Sequence, residues 1–354
     1  MNIPRLIATV ATLCSTVWAQ PQDLVYTLPT DNTALYSTGG ADYYMYVDRL
    51  FEGEKSTPWQ AGTYGMVRNP FRPQPGAPIM FSRFHEGVDV KPIYRSGNGE
   101  PQDMVRPIAP GQVVHVSTLP GHSNYGRYVV IAHEVPEGTI YSLYAHLASV
   151  CCNVGQHVNN QQEIGRLGYS GVGLNKTRAH LHLELALMIN SRFAEFYTGE
   201  NKHGNFNGLN LVGFNPTDAL LACRHGNTFS ISSYFAKLKE HYRVAVPCVR
   251  GMDILRRHPF LYKGSRTERT RPQSLEIAFT AEGVPIGIYP ARRHVTQPFI
   301  ISCRPMPTVQ QNCTVNRVKN NSAKAALTIS GLRYVNQYIW TGTPDEPSVA
   351  NTAP

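Results

Sequence analysis

Between residues 65 and 190 the chain runs in short apolar segments cut by Gly, Pro and Asn. "GQVVHVSTL", "GRYVVIAHEV", "TIYSLYAHL" and "LHLELALM" read as strands, and "PG", "GHSNYG", "PEG" and "SGVG" supply the turn signals. No ten-residue amphipathic helical pattern interrupts them, so the pattern predicts an all-β domain over 65–190. Residues 20–64 are rich in tyrosine ("ALYSTGGADYYMYVDRLFEG") and read as a lead-in that packs against or shields this β-domain. Residues 191–245 are irregular, with a short helix predicted at "PTDALLAC" and another near Ser232 to Val244. "SLEIAFTAEGVPIGIYPA", "PFIISCRP", "AKAALTISGL" and "YVNQYIWTG" predict a second β-rich unit over 246–340, a small sandwich. The polar, Pro-rich end, 341–354, is expected to be disordered.

One strand pattern carries chemistry. In "RAHLHLEL" side chains alternate between faces, so His180, His182 and Glu184 share one face and Leu181, Leu183 and Leu185 the other. The leucine face suits a core, whereas the polar face must find partners, reach water or bind something. A zinc site with an open position needs three protein ligands. Upstream, "FSRFHEGVDV" sets His85 and Asp89 four residues apart, on one side of an extended segment, and "YSLYAHL" ends an alternating strand at His146. Each of these fragments is common when taken alone.

The N-terminus bears on where such a site would work. Arg5, an apolar run from Leu6 to Leu13 and "VWA" before Gln20 have the arrangement of a secretory signal over residues 1–19, which points to a secreted or periplasmic protein without a transmembrane anchor. Removing the signal leaves six cysteines, and disulfides are the expectation in an oxidising compartment. None has the spacing of a zinc knuckle. The net charge of +9 favours an anionic partner such as a cell-wall surface. Lys and Arg are scattered without interleaved aromatics, which argues against nucleic acid.

The order and approximate spacing of His-x-x-x-Asp, Tyr-x-His-Leu and His-Leu-His-x-Glu resemble the lysostaphin-type, or LytM-like, zinc endopeptidases. "RPIAPGQVVHV", "NYGRYVVIAH" and "VGQHVNNQQEIGRLGYSGVG" are similar to that family's segments between the motifs. The resemblance implies an antiparallel β-domain with a groove holding one Zn²⁺. Its ligands would be His85, Asp89 and His182, and peptidoglycan stem or cross-link peptides would be the substrate. His146 and His180 would flank the attacking water and the oxyanion, in an order left open. Glu184 has two readings, orienting a ligand histidine or standing as an ordinary strand glutamate. Tyr144 likewise either lines the groove or packs inside. Asn69, in "MVRNPFRP", matches an inhibitory asparagine found in some members. The rival expectation is a non-catalytic or self-inhibited wall-binding or activator protein of the same fold. With all three ligands and both accessory histidines present, the sequence favours the enzyme.

Overall fold

The computed structural model describes residues 21–37, 39–201, 203–265, 272–304, 316–321 and 324–342. The expected signal peptide, Cys313 and residues 343–354 of the expected tail lie outside the described residues.

The central sheet is built from the apolar segments. Its order is His157–Val158, Gly111–Ser117, Arg127–Val135, Gly138–Leu147, Leu181–Met188 and Leu211–Phe214, all antiparallel. Val88–Val90 pairs with the outer edge of Leu181–Met188, ahead of Leu211–Phe214. Alternation decides what each face buries. Leu181, Leu183, Leu185 and Leu187 enter the main core with Val88, Val90, Val129 and Ile131. On the opposite face Ala186 and Met188 join a second cluster with Tyr128, Val130 and Leu143. Each fully buried leucine contributes roughly 1.5–3 kcal/mol of transfer free energy, enough to hold the register.

The tyrosine-rich lead-in is part of this body. Tyr26, Tyr43, Tyr44 and Met45 are buried, and Trp59 stacks on Tyr44 at 5.9 Å. The Met45 N–H donates to Asp89 O (2.8 Å) and the Lys91 N–H to Tyr43 O (2.8 Å), so the segment braces the short Val88–Val90 strand from its free side.

Farther along, Pro285–Ala291, Ser274–Phe279, Tyr242–Pro247 and Phe299–Cys303 form a four-stranded antiparallel sheet. The first part of "AKAALTISGL" forms a strand, Lys324–Leu327, paired with Val318–Asn321, but the layer against the sheet is the helix Ile329–Ile339, where the sequence predicted strands to continue. Thr328 caps that helix by accepting from the Gly331 N–H (2.9 Å), and Tyr334 and Tyr338 meet Phe279 at 5.9 and 5.5 Å. The helix predicted from Ser232 to Val244 is instead a short one, Ile231–Phe235, followed by the strand Tyr242–Pro247. Tyr242, Val244 and Val246 alternate inward there, and strand partners on both sides outweigh the local helical pattern.

No disulfide joins the cysteines of the described residues, and Cys313 lies outside them. Cys151 is exposed, and Cys152 and Cys223 are buried as thiols against the carbonyls of Ile164 and Leu24. No helix of the described residues is long and apolar enough to cross a membrane.

Candidate metal centre

His85 ends the strand Met80–His85, Asp89 sits in Val88–Val90, and His182 is the second residue of Leu181–Met188. Asp89 and His182 are direct register partners. Gly87 makes the tight approach possible: a Cβ there would stand 2.4 Å from Leu183 O and 3.0 Å from His182 Cε1. All three side chains are nearly inaccessible, at 2%, 1% and 6% exposure.

Hydrogen-bond chemistry fixes which atoms face inward. His85 Nδ1 lies 2.8 Å from Thr63 O, and a carbonyl can only accept, so Nδ1 carries the proton and Nε2 the lone pair. His182 Nε2 lies 3.0 Å from Glu184 Oε1, which leaves Nδ1 as the inward atom. His85 Nε2, His182 Nδ1 and Asp89 Oδ1 then stand 3.0–3.1 Å from one another. Tetrahedral zinc with ligands at about 2.0–2.2 Å puts donors roughly 3.3–3.6 Å apart, slightly wider than this. Three electron-pair donors converging at this spacing suit a cation, and the residues fit zinc.

The surrounding charges reinforce that arrangement. Burial alone would raise the Asp89 pKa, but His180, His85 and Arg68 outweigh it and hold the carboxyl well below its usual range. Burial, with Arg68 and His182 nearby, lowers His85 despite Asp89. Burial also opposes charge on His182, yet its hydrogen bonds to Asp89 and Glu184 push it up to about 10, so a cation at Nδ1 takes the place of a proton there. These opposite shifts on adjacent imidazoles mark His182 as the ring held between two carboxylates.

His146 and His180 stand beside these three residues, their rings 4.8 Å apart and the His146 ring 5.7 Å from that of His182. His180 Nε2 lies 3.4 Å from Asp89 Oδ1, while its Nδ1–H donates to Arg178 O (2.7 Å). His146 Nδ1–H donates to Ser170 O (3.0 Å), leaving Nε2 as a base. Burial, then His180 and His182, press the His146 pKa well below its ordinary value, which keeps the ring neutral. His146 holds a left-handed backbone (φ 63°), a strained conformation for a non-glycine residue, and its N–H donates to Tyr125 O (2.9 Å).

Of the other predicted residues, Glu184 is fully buried and joined to His182. Tyr144 is fully buried in the main core, its hydroxyl accepting from the Ile108 N–H (2.7 Å), away from the groove. Asn69 lines the cavity, but the side chain that touches Asp89 and His85 is its neighbour Arg68. Sequence reasoning missed Arg68 and Tyr125. Tyr125 Oη donates to Glu184 Oε1 (2.8 Å), so a chain runs from Tyr125 through Glu184 to His182. The only signal for Tyr125 was its place before Gly126 in "NYGRYVV". Above His85, Asp89 and His182 opens a cavity of about 1130 Å³, walled by Arg83 and Arg178 as well as by His122 and His203.

Residues 83–192 match Peptidase family M23, a stretch that contains His85, Asp89, His146, His180 and His182. No curated protein matches the chain. Among solved structures the chain is similar to a zinc-containing peptidase from Vibrio cholerae, with 22% identity and a TM-score of 0.28 over 46% of this chain and 37% of that one. It thus spans little more than a third of that peptidase. It is also similar to the catalytic domain of the antimicrobial peptidase lysostaphin from Staphylococcus simulans, with 22% identity and a TM-score of 0.28 over 45% of this chain and 89% of that one. A third likeness is to a variant of the catalytic domain of a prophage-encoded M23 protein from Enterococcus faecalis, at 23% identity, TM-score 0.24, 33% of this chain and 77% of that one.

Proposed function

We propose that this M23 peptidase domain is a zinc-dependent endopeptidase that hydrolyses peptide bonds in the stem or cross-link peptides of peptidoglycan, outside the cell or in the periplasm. The observation that carries the reading is the convergence of His85 Nε2, Asp89 Oδ1 and His182 Nδ1, with two further histidines beside them. Bound there, zinc would supply Lewis-acid activation of a water and of the scissile carbonyl. The chain's own residues do the rest. His146, neutral and with Nε2 unprotonated, accepts a proton and returns it to the leaving amine. His180, whose Nδ1–H is held by Arg178 O, turns Nε2 toward the same space and donates to the developing oxyanion in its doubly protonated form. Glu184 and Tyr125 hold His182 in the tautomer that offers Nδ1.

The net charge of +9 favours retention on an anionic wall. The sheet after residue 241, with its helix, is the candidate for positioning the enzyme there. The test is release of soluble fragments and new amino termini from purified peptidoglycan. The wild-type chain is expected to release both. His146→Ala is expected to keep its zinc and lose about 10²–10⁴ of the rate. Bound zinc without any release would favour the self-inhibited reading, for which the contact of Arg68 with the ligands is the motivating observation.

A further inference from the structure

Arg68 lies ahead of the family match, which begins at residue 83, and no motif accounts for it. It belongs to the strand Gly65–Phe71, whose register against Met80–His85 shifts between Met66 and Arg68. The next residue, Asn69, holds φ at 53°. Bulges re-aim side chains, and this one sends Arg68 into the ligand set although its register partner is Arg83. Its Nε–H donates to Ala61 O (2.9 Å), which fixes the orientation of the guanidinium.

The two oxygens of Asp89 are thereby divided. Oδ1 faces His85, His182 and His180, while Oδ2 accepts from Arg68 Nη2. The same Nη2 lies 3.0 Å from His85 Nε2, the nitrogen whose lone pair points into the ligand set.

We propose that Arg68 is the counter-cation of this metal site. It holds and neutralises Asp89, and it competes with zinc for the His85 lone pair and the Asp89 charge. The inference rests on the metal-site reading above. Two effects act in one direction. A guanidinium and a dication sharing one carboxylate repel each other in a buried setting. Without Arg68, Asp89 Oδ2 is a buried acceptor lacking a partner, and a bound dication offsets that cost. The same three ligands therefore hold zinc more tightly when Arg68 is neutral.

The test is zinc affinity of the purified chain by competition with a chromogenic chelator, for wild type, Arg68→Gln, Arg68→Lys and Asp89→Asn. Arg68→Gln is expected to bind zinc at least about tenfold more tightly than wild type. Equal or weaker binding overturns the proposal. If Arg68→Gln does not fold by circular dichroism, Arg68→Lys carries the test. It keeps the charge but loses the planar guanidinium whose Nη2 meets both Asp89 and His85 and whose Nε–H is fixed by Ala61 O, so it is expected to gain less, about threefold; equal or weaker binding again overturns the proposal. Wild type that binds no more zinc than Asp89→Asn would instead defeat the metal-site reading itself, a result distinguishable from the first.

Discussion

Asp89 and His182 are register partners on adjacent antiparallel strands, and that pairing brings Asp89 Oδ1 to 3.0 Å from His182 Nδ1. Backbone pairing thus creates the contact, and the lead-in bonds the other edge of the Asp89 strand through Met45 and Tyr43. Donor positions set by two strands and a brace need little reorganisation to take a metal ion.

Glu184 gives the first prediction. It is fully buried and accepts from both His182 and Tyr125. Glu184→Gln keeps the shape but removes the charge that fixes the His182 tautomer, so zinc affinity is expected to fall about 10–100-fold. Tyr125→Phe leaves the carboxylate in place and is expected to lose less. Chelator competition on both variants checks the order.

Gly87→Ala addresses the backbone approach. The added Cβ would meet Leu183 O at 2.4 Å, and backbone atoms cannot swing aside. A loss of about 1–3 kcal/mol in unfolding free energy is expected, together with weaker zinc binding. Denaturant unfolding and metal titration read the two effects separately.

The pH dependence of stability has one clear source in His133. This side chain is fully buried between Pro110 O and Ser142 Oγ, and burial pulls its pKa down to about 4. Unfolded, it takes up a proton near 6.5, so between there and about 4 the unfolded chain binds more protons and stability rises with pH. The stabilisation is complete above pH 6.5 and lost as pH falls through 4, about 3 kcal/mol in all. His133→Asn is expected to flatten this part of the profile relative to wild type in thermal unfolding between pH 7 and 4.

Thr328 anchors the helix that stands where the sequence predicted strands. Its hydroxyl accepts from the Gly331 N–H (2.9 Å) and donates to Asn316 O (2.6 Å). Thr328→Ala is expected to cost about 1 kcal/mol, measured by denaturant unfolding.

How much of the fold and site was legible in the sequence depends on how local the determining physics is. The two-residue period of "LHLELALM" is intrinsic to a strand, so the sharing of one face by His182 and Glu184 could be read directly. The all-β character of 65–190 came from the same signal. Arg68 was hidden because a bulge in its strand reverses the parity that alternation would assign. Tyr125 was hidden because its bond to Glu184 joins residues 59 apart, set by the neighbouring strands. In "ISGLRYVNQYI" the β-branched and aromatic residues suggested strands, but Gly331, Tyr334, Val335 and Tyr338 also fit a helical period, and the cap at Thr328 with packing on Phe279 decided it.

The central claim is that His85, Asp89 and His182 hold one zinc ion, and metal content tests it most directly. The purified wild-type chain and His182→Ala are loaded with zinc, freed of excess by gel filtration, and assayed by elemental analysis against protein concentration. About one zinc per chain in wild type and none in the variant is the expected result. Zinc absent from wild type, or retained equally by His182→Ala, would contradict the account.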